Sequence, residues 1–154
     1  MFICFKCIKK QSVVDENPIP FVIPITKGKV IKVYDGDTIT IQFKLPYNKS
    51  PLYKISVRLN GIDCPELKTK NLIEKQCSQI AKEKVSQLLM NNTIELKNTG
   101  MDKYGRLLAD VYYNNKSVNN WLLNNHLAVP YDGKAKQVPD NWMDYYQKIE
   151  FQDF

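Results

Sequence analysis

Apolar and polar residues alternate from Gly28 onward, and that alternation sets the first half of the fold. In KVIKVYDGDTITIQF, residues 29–43, two β-rich runs flank the turn Asp35-Gly36-Asp37, which predicts a pair of strands. YKISVRLNGI, residues 53–62, repeats the pattern with Ile55, Val57 and Leu59 on one face. A polar loop with two prolines, KLPYNKSPLY, lies between them. The period then changes. Ile73, Cys77, Ile80, Ala81, Val85, Leu88 and Leu89 recur at spacings of three and four, the signature of a helix with one buried stripe. Asn71 followed by Glu74 predicts a capping box at its start. TIELKN and RLLADVYYN read as two further strands, joined by a loop containing Gly100 and Gly105. Ser117 is placed to cap a short helix with Val118, Trp121 and Leu122 inward, and Asp140 to start a last one carrying Trp142, Tyr145, Tyr146 and Ile149.

Five short strands, a helix inserted after the third, and helices at the C-terminal end predict an α+β fold built on a five-stranded Greek-key barrel of the OB type. The expected domain runs over residues 28–154. Residues 1–27 read as an extended arm, since Pro18, Pro20 and Pro24 interrupt any helical pattern.

Charge changes this picture more than composition does. The 154 residues carry a formal charge of +6, which favours an anionic partner such as nucleic acid. Of the four cysteines only Cys4 and Cys7 are close together, too few for a structural zinc site. The expectation is reduced thiols in an intracellular, soluble, cytoplasmic monomer. No signal peptide is evident, because in MFICFKCIKK the charges follow the apolar residues. Cys4 and Cys7 beside lysines give a secondary expectation, a membrane tether through acylation.

The acids are placed sparingly. Between Asn17 and Ile73 the carboxylates are Asp35, Asp37, Asp63 and Glu66, against eight lysines and Arg58. All four sit at strand ends or turns, where side chains converge, and oxygen donors of this kind suit Ca²⁺ or Mg²⁺. With Pro65 restricting the link, one carboxylate of the Asp63–Glu66 pair can hold metal while the other takes a proton from water. Only two of the 22 basic residues are arginines, Arg58 and Arg106. Where lysine serves for plain charge, arginine marks two-point grip on phosphate oxygens.

Together, VYDGDTITI, VRLNGIDCPE and DKYGRLLADVYY resemble, in order and spacing, the thermonuclease or staphylococcal nuclease-like family. VNNWLLNNHLAVPY is a weaker echo, and the resemblance runs from Gly28 to Tyr131 without reaching the tail. It implies a calcium-dependent nuclease that cuts DNA and RNA, preferring single strands, and leaves 3′-phosphate ends. It implies Asp37, Asp63 and the Cys64 carbonyl as calcium ligands, with Asp35 in the outer shell. It implies Glu66 as general base and Arg58 and Arg106 as phosphate-binding groups stabilising the transition state. Lys103, Tyr104 and Tyr131 are implied as substrate contacts. Replacing either arginine by lysine is then expected to cut turnover and leave the fold intact. Where the family has threonine or alanine, this chain has Cys64, and its helix start, QCSQIA, lacks the common glycine.

The alternative is a catalytically inactive OB-type module that binds nucleic acid or protein. His126, the sole histidine, sits at a helix end, where a dipole contact or exposure to solvent outweighs catalysis. Trp121 and Trp142 at helical spacing predict core packing, and Lys75, Lys82 and Lys84 a solvated helix face.

Overall fold

A computed structural model describes residues 21–134 and 137–154 of the chain. Cys4, Cys7 and the tether expected of them lie outside the described residues, as does most of the arm. Its last part is packed: Ile25 is buried, and the Thr26 carbonyl accepts a hydrogen bond from Leu96 N.

The alternating runs form β1 (Lys27–Asp35), β2 (Thr38–Phe43) and β3 (Tyr53–Leu59), and a two-residue strand β4 (Ile62–Asp63) follows. Helix α1 (Leu72–Leu89) separates these from β5 (Thr93–Met101) and β6 (Leu107–Tyr113). Then come β7 (Lys116–Ser117), α2 (Val118–Asn124), β8 (Val129–Pro130) and α3 (Trp142–Gln147). The sheet order is β3-β2-β1-β5-β6-β7, and a further pairing of β3 with β6 closes five strands into the expected barrel. That closing contact is parallel, with Val57, Arg58 and Leu59 opposite Leu107, Leu108 and Ala109. It brings the end of β3 beside the loop before β6. Inside, Val30, Ile39, Ile41, Val57, Ile94, Leu107, Ala109 and Val111 are wholly buried, each large aliphatic contributing about 1.5–3 kcal/mol.

β1 carries two bulges. Its register against β2 shifts between Val30 and Lys32 and again between Val33 and Asp35. Each extra residue sends a second neighbour outward, so Ile31, Lys32 and Tyr34 are all exposed while Val30 and Val33 stay buried. Simple alternation in the sequence does not show these shifts.

At α1 the Asn71 side chain accepts from the amides of Ile73 and Glu74. The capping box closes on one side only. Glu74 does not return to Asn71; its carboxylate accepts from Thr69 Oγ1 and from Glu66 N. The buried stripe is Cys77, Ser78, Ala81, Val85 and Leu89, and Ile73 is 42 % exposed, outside the face expected for it. Gly100 lies within β5 rather than in the loop. Ser117 caps α2 as expected, whereas α3 is capped by Asn141, one residue past Asp140, and ends before Ile149. Trp121 and Trp142 are core residues. Lys84 departs from the solvated face, its Nζ lying 3.9 Å above the Phe151 ring and fastening the tail to α1.

Candidate active site

The site starts at the β1–β2 turn. A Cβ on Gly36 would stand 2.8 Å from Cys64 Sγ and 2.9 Å from Ala81 Cβ. Only glycine lets the turn settle onto β4 and α1 so closely. That approach delivers Asp37, which is buried. Its Oδ1 accepts from Thr38 Oγ1 (3.0 Å), its Oδ2 from Cys64 N (2.8 Å), and its own carbonyl from Leu59 N (2.8 Å). One aspartate thus ties the turn to β3 and β4.

Arg58 lies within this group of acids and not across from it. Nη1 donates to the Leu59 carbonyl (3.1 Å) and stands 3.0 Å from Asp37 Oδ2, and Nη2 donates to Asp63 Oδ1 (2.8 Å). The side chain is about 10 % exposed, and breaking a pair so buried strands a charge, which costs about 3–5 kcal/mol. Lysine keeps the charge but not the fork, so Arg58→Lys gives up part of these contacts and carries a stability penalty. To grip a phosphate with both Nη groups, Nη1 must let go of Asp37 or of the Leu59 carbonyl, whereas Nη2 keeps one hydrogen beyond its bond to Asp63.

Arg106 comes from the β5–β6 loop. Asp102 Oδ1 accepts from the amides of Tyr104 (2.8 Å) and Arg106 (2.9 Å), and Oδ2 accepts from Arg106 Nε (2.6 Å). Burial pushes the Asp102 carboxyl up, but these donors outweigh it and hold the group below the ordinary carboxylate value. The Nε edge is thereby fixed, and the two Nη groups have no partner among the described residues. Tyr104, 72 % exposed, sits between Lys103 Nζ and the Arg106 guanidinium, 5.1 and 5.5 Å from its ring centre.

The short β4–β8 pair supplies the last wall. Asp63 pairs with Val129 and Ile62 with Pro130, and Tyr131 N donates to the Gly61 carbonyl (2.9 Å). One cleft of about 270 Å³ is lined by every residue singled out in the sequence except Lys103: Asp35, Asp37, Arg58, Asp63, Cys64, Glu66, Tyr104, Arg106 and Tyr131. Lys103 lines an adjoining groove of about 630 Å³ that shares Arg58, Tyr104, Arg106 and Tyr131. Glu66 is at the solvent edge, its amide held by Glu74.

The donor set fits a hard cation. Asp35 Oδ1 is buried with no hydrogen-bond partner among the described residues, a costly condition for a carboxylate. Burial, opposed by Arg58 and reinforced by the charge of Asp35, raises Asp37 to about 6. Two crowded carboxylates short of countercharge are what a bound cation relieves. Burial also pushes the Cys64 thiol up, so the sulfur stays protonated and only its carbonyl suits a hard ion. As the side chains stand, with Arg58 among the acids, no three His, Cys, Asp or Glu among the described residues are grouped to hold a metal.

The sequence alone marks no role for Asp102, Thr38 or Asn119, and gives Glu74 a role at the start of α1 but none beside Glu66. Asn119 is buried, accepts from Val111 N and donates to the Asn60 carbonyl, joining β6 to the turn before β4. An aspartate four residues before Arg106 and three before Gly105 was the readable sign of the Asp102 turn. His126 is at the end of α2 as expected, where its Nδ1 lies 2.7 Å from the Tyr145 carbonyl and its ring stacks on Tyr145 at 4.2 Å, away from the cleft. No described helix is long and apolar enough to cross a membrane.

A fold of this type with acids and arginines in one cleft defines a class, and comparison with known proteins agrees. The family described as staphylococcal nuclease homologue matches residues 56–152, and the chain belongs to that family. The match runs past Tyr131, so the tail, contrary to the sequence expectation, is part of the family's span. The chain is 35 % identical over 103 residues to an uncharacterized endonuclease of Haemophilus influenzae, covering 67 % of this chain and 51 % of that protein. It is 37 % identical over 100 residues to endonuclease YncB of Bacillus subtilis, covering 63 % and 44 % respectively. The chain spans about half the length of these relatives.

Proposed function

We propose that this chain is a calcium-dependent nuclease that hydrolyses phosphodiester bonds of DNA and RNA, with residues 28–154 as the working unit. One observation carries the reading. Segments far apart in sequence, 35–38, 58–66, 104–106 and Tyr131, line a single cleft with acids and two arginines. Endonuclease names among the relatives support the same class of activity.

Asp37, Asp63 and the Cys64 carbonyl would hold Ca²⁺, with Asp35 in the outer shell. Bound there, the ion supplies charge that neutralises the acids and polarises a phosphoryl oxygen. Glu66, at the open edge, takes a proton from the attacking water. The water oxygen bonds to phosphorus, the bond to the 5′ oxygen breaks, and that oxygen leaves with a proton from solvent. The 3′ side keeps the phosphate. Arg106 offers its two Nη groups to the charge that builds on the phosphoryl oxygens, and Arg58 joins it once Nη1 is released. Tyr104, Lys103 and Tyr131 contact the flanking nucleotide.

A second reading rests on the ion pairs of Arg58 to both Asp37 and Asp63. They give the acids part of their countercharge from within the chain, as a non-catalytic binding module would use them. Incubating single-stranded DNA with the protein in Ca²⁺ or in chelator decides between the two. Cutting in Ca²⁺ alone, with 3′-phosphate ends, is the expected result. Retention of the strand without cutting supports the binding module, and chelator-resistant cutting or 5′-phosphate ends refutes the assigned chemistry.

A further inference from the structure

Strand register continues the cleft onto the outside of the barrel. Asp35, Thr38 and Arg58 are cross-strand partners on β1, β2 and β3. The next outward row is Lys32, Thr40 and Ser56, and the one after it is Lys29, Gln42 and Lys54. On β3 these rows follow from plain alternation, with Val57 pointing inward and fully buried. On β1 they do not: Lys29 and Lys32 are three residues apart, and an odd spacing puts neighbours on opposite faces. The bulge at Ile31 brings both lysines to the same side, and the second bulge, at Tyr34, does so for Asp35.

The lane that results is basic and open. Lys29, Lys32 and Lys54 are exposed, and none has an ion-pair partner among the described residues. Lys27, two residues further along β1, is different because it pairs across to Glu95 on β5 at 3.3 Å. No carboxylate interrupts the lane between the site acids and its far end. Apolar surface lies along it, with Tyr34 42 % and Ile31 38 % exposed and Lys32 Nζ 5.9 Å from the Tyr34 ring centre. Alternating cations and an aromatic face suit a single nucleic-acid strand, whose phosphates take the lysines and whose bases stack. From Arg58 to Lys54 the lane is four residues long, about 13 Å.

We propose that this outer face of β1, β2 and β3 is a binding track for the single-stranded nucleic acid on one side of the bond in the cleft. The proposal rests on the nuclease reading for its direction, since the track leads out of that cleft. Phosphates beyond the scissile one lie against Lys32, then Lys29 and Lys54, and a base packs on Tyr34.

The test is the triple variant Lys29→Ala, Lys32→Ala, Lys54→Ala, with the triple Lys→Arg variant as charge-retaining control. A thymidine dinucleotide reports the cleft alone, and a 20-nucleotide oligothymidylate reports cleft and track. On the 20-mer the alanine variant should raise KM about tenfold with kcat kept. Its dependence of log KM on log salt should flatten by about 2, from three phosphate contacts at ~0.7 each. Dinucleotide kinetics should be unchanged, and arginine should restore the 20-mer values. A KM within twofold of wild type, an unchanged salt slope, or equal losses on both substrates overturns the track. If the wild type cuts neither substrate, it is the nuclease reading that has failed. Fluorescence anisotropy of the 20-mer then decides the track: about tenfold weaker binding by the alanine variant supports it, and equal binding overturns it.

Discussion

Asp102 stands apart from the acids of the cleft, yet it fixes the guanidinium of Arg106, whose Nη groups have no partner among the described residues. Asp102→Asn separates its two jobs. The asparagine oxygen can keep the place of Oδ1 and accept from the amides of Tyr104 and Arg106, so the turn survives. The amide NH₂ then replaces Oδ2, 2.6 Å from Arg106 Nε, and sets donor against donor. A charge-assisted bond worth about 1.5–3 kcal/mol is lost. If Arg106 meets the phosphate mainly in the transition state, a loss of that size lowers kcat about 10- to 100-fold while KM moves little. Asp102→Ala removes the backbone bonds as well, at about 0.5–1.5 kcal/mol each, and should lose stability in addition to activity. The assay is kcat and KM on an oligothymidylate in Ca²⁺, with urea unfolding run on both variants. An asparagine variant with kcat within twofold of wild type would refute the claim that Asp102 positions Arg106. Equal stability losses in the two variants would refute the division of its roles.

Three other outcomes follow from the same geometry. Asp37 has a folded value of about 6 against 3.8 when unfolded. Its stabilising contribution is complete below pH 3.8 and is lost as pH rises through 6, on the order of 3 kcal/mol in all. Urea unfolding in chelator should show that fall for the wild type and not for Asp37→Asn, with added Ca²⁺ restoring stability above pH 6; a flat wild-type profile would contradict it. Gly36→Ala drives a methyl group to 2.8 Å from Cys64 Sγ and should cost roughly 1–3 kcal/mol together with most activity, so an unchanged Tm and kcat would show that the turn has slack. Arg58→Lys keeps the charge but not the fork, and should lose about 1–3 kcal/mol of stability as well as turnover, because one ammonium cannot serve Asp37, Asp63 and the Leu59 carbonyl together; a variant as stable as wild type would mean the fork geometry contributes nothing.

The barrel was legible because its determinants are local. Ile39, Ile41, Val57 and Leu59 alternate in sequence and are buried together, and Ser117 caps α2 from the position its type predicts. The order of elements followed from periods of two and of three or four. What escaped were features set by contacts between segments. The bulges at Ile31 and Tyr34 exist only as a register against β2, and no residue type announces them. Glu74 looked like the partner of Asn71, but Thr69 Oγ1 and the amide of Glu66 compete for its carboxylate and win. Sequence spacing cannot report that competition.

Arg58 shows how the same limit applies to the site. Its type and position mark it in the sequence, and the structure brings it to the acids. Whether a guanidinium faces an acidic cluster or enters it is a matter of ångströms, decided by the parallel pairing of β3 with β6 and by the turn of Gly36 onto Cys64. Entering it, Arg58 supplies countercharge that two buried aspartates need in order to fold together. That requirement is one of stability, and it opposes release of Arg58 to a phosphate. A cation bound to the acids removes the opposition, because the countercharge then no longer has to come from the arginine. Metal and phosphate binding should accordingly be cooperative, each tightening the other by the same factor. Titrating Ca²⁺ with and without a nucleoside 3′,5′-bisphosphate, and the bisphosphate with and without Ca²⁺, measures both factors. Arg58→Ala should reduce the coupling to what direct attraction between the cation and the phosphate leaves. Independent binding of the two ligands to the wild type would show that Arg58 never has to leave its carboxylates.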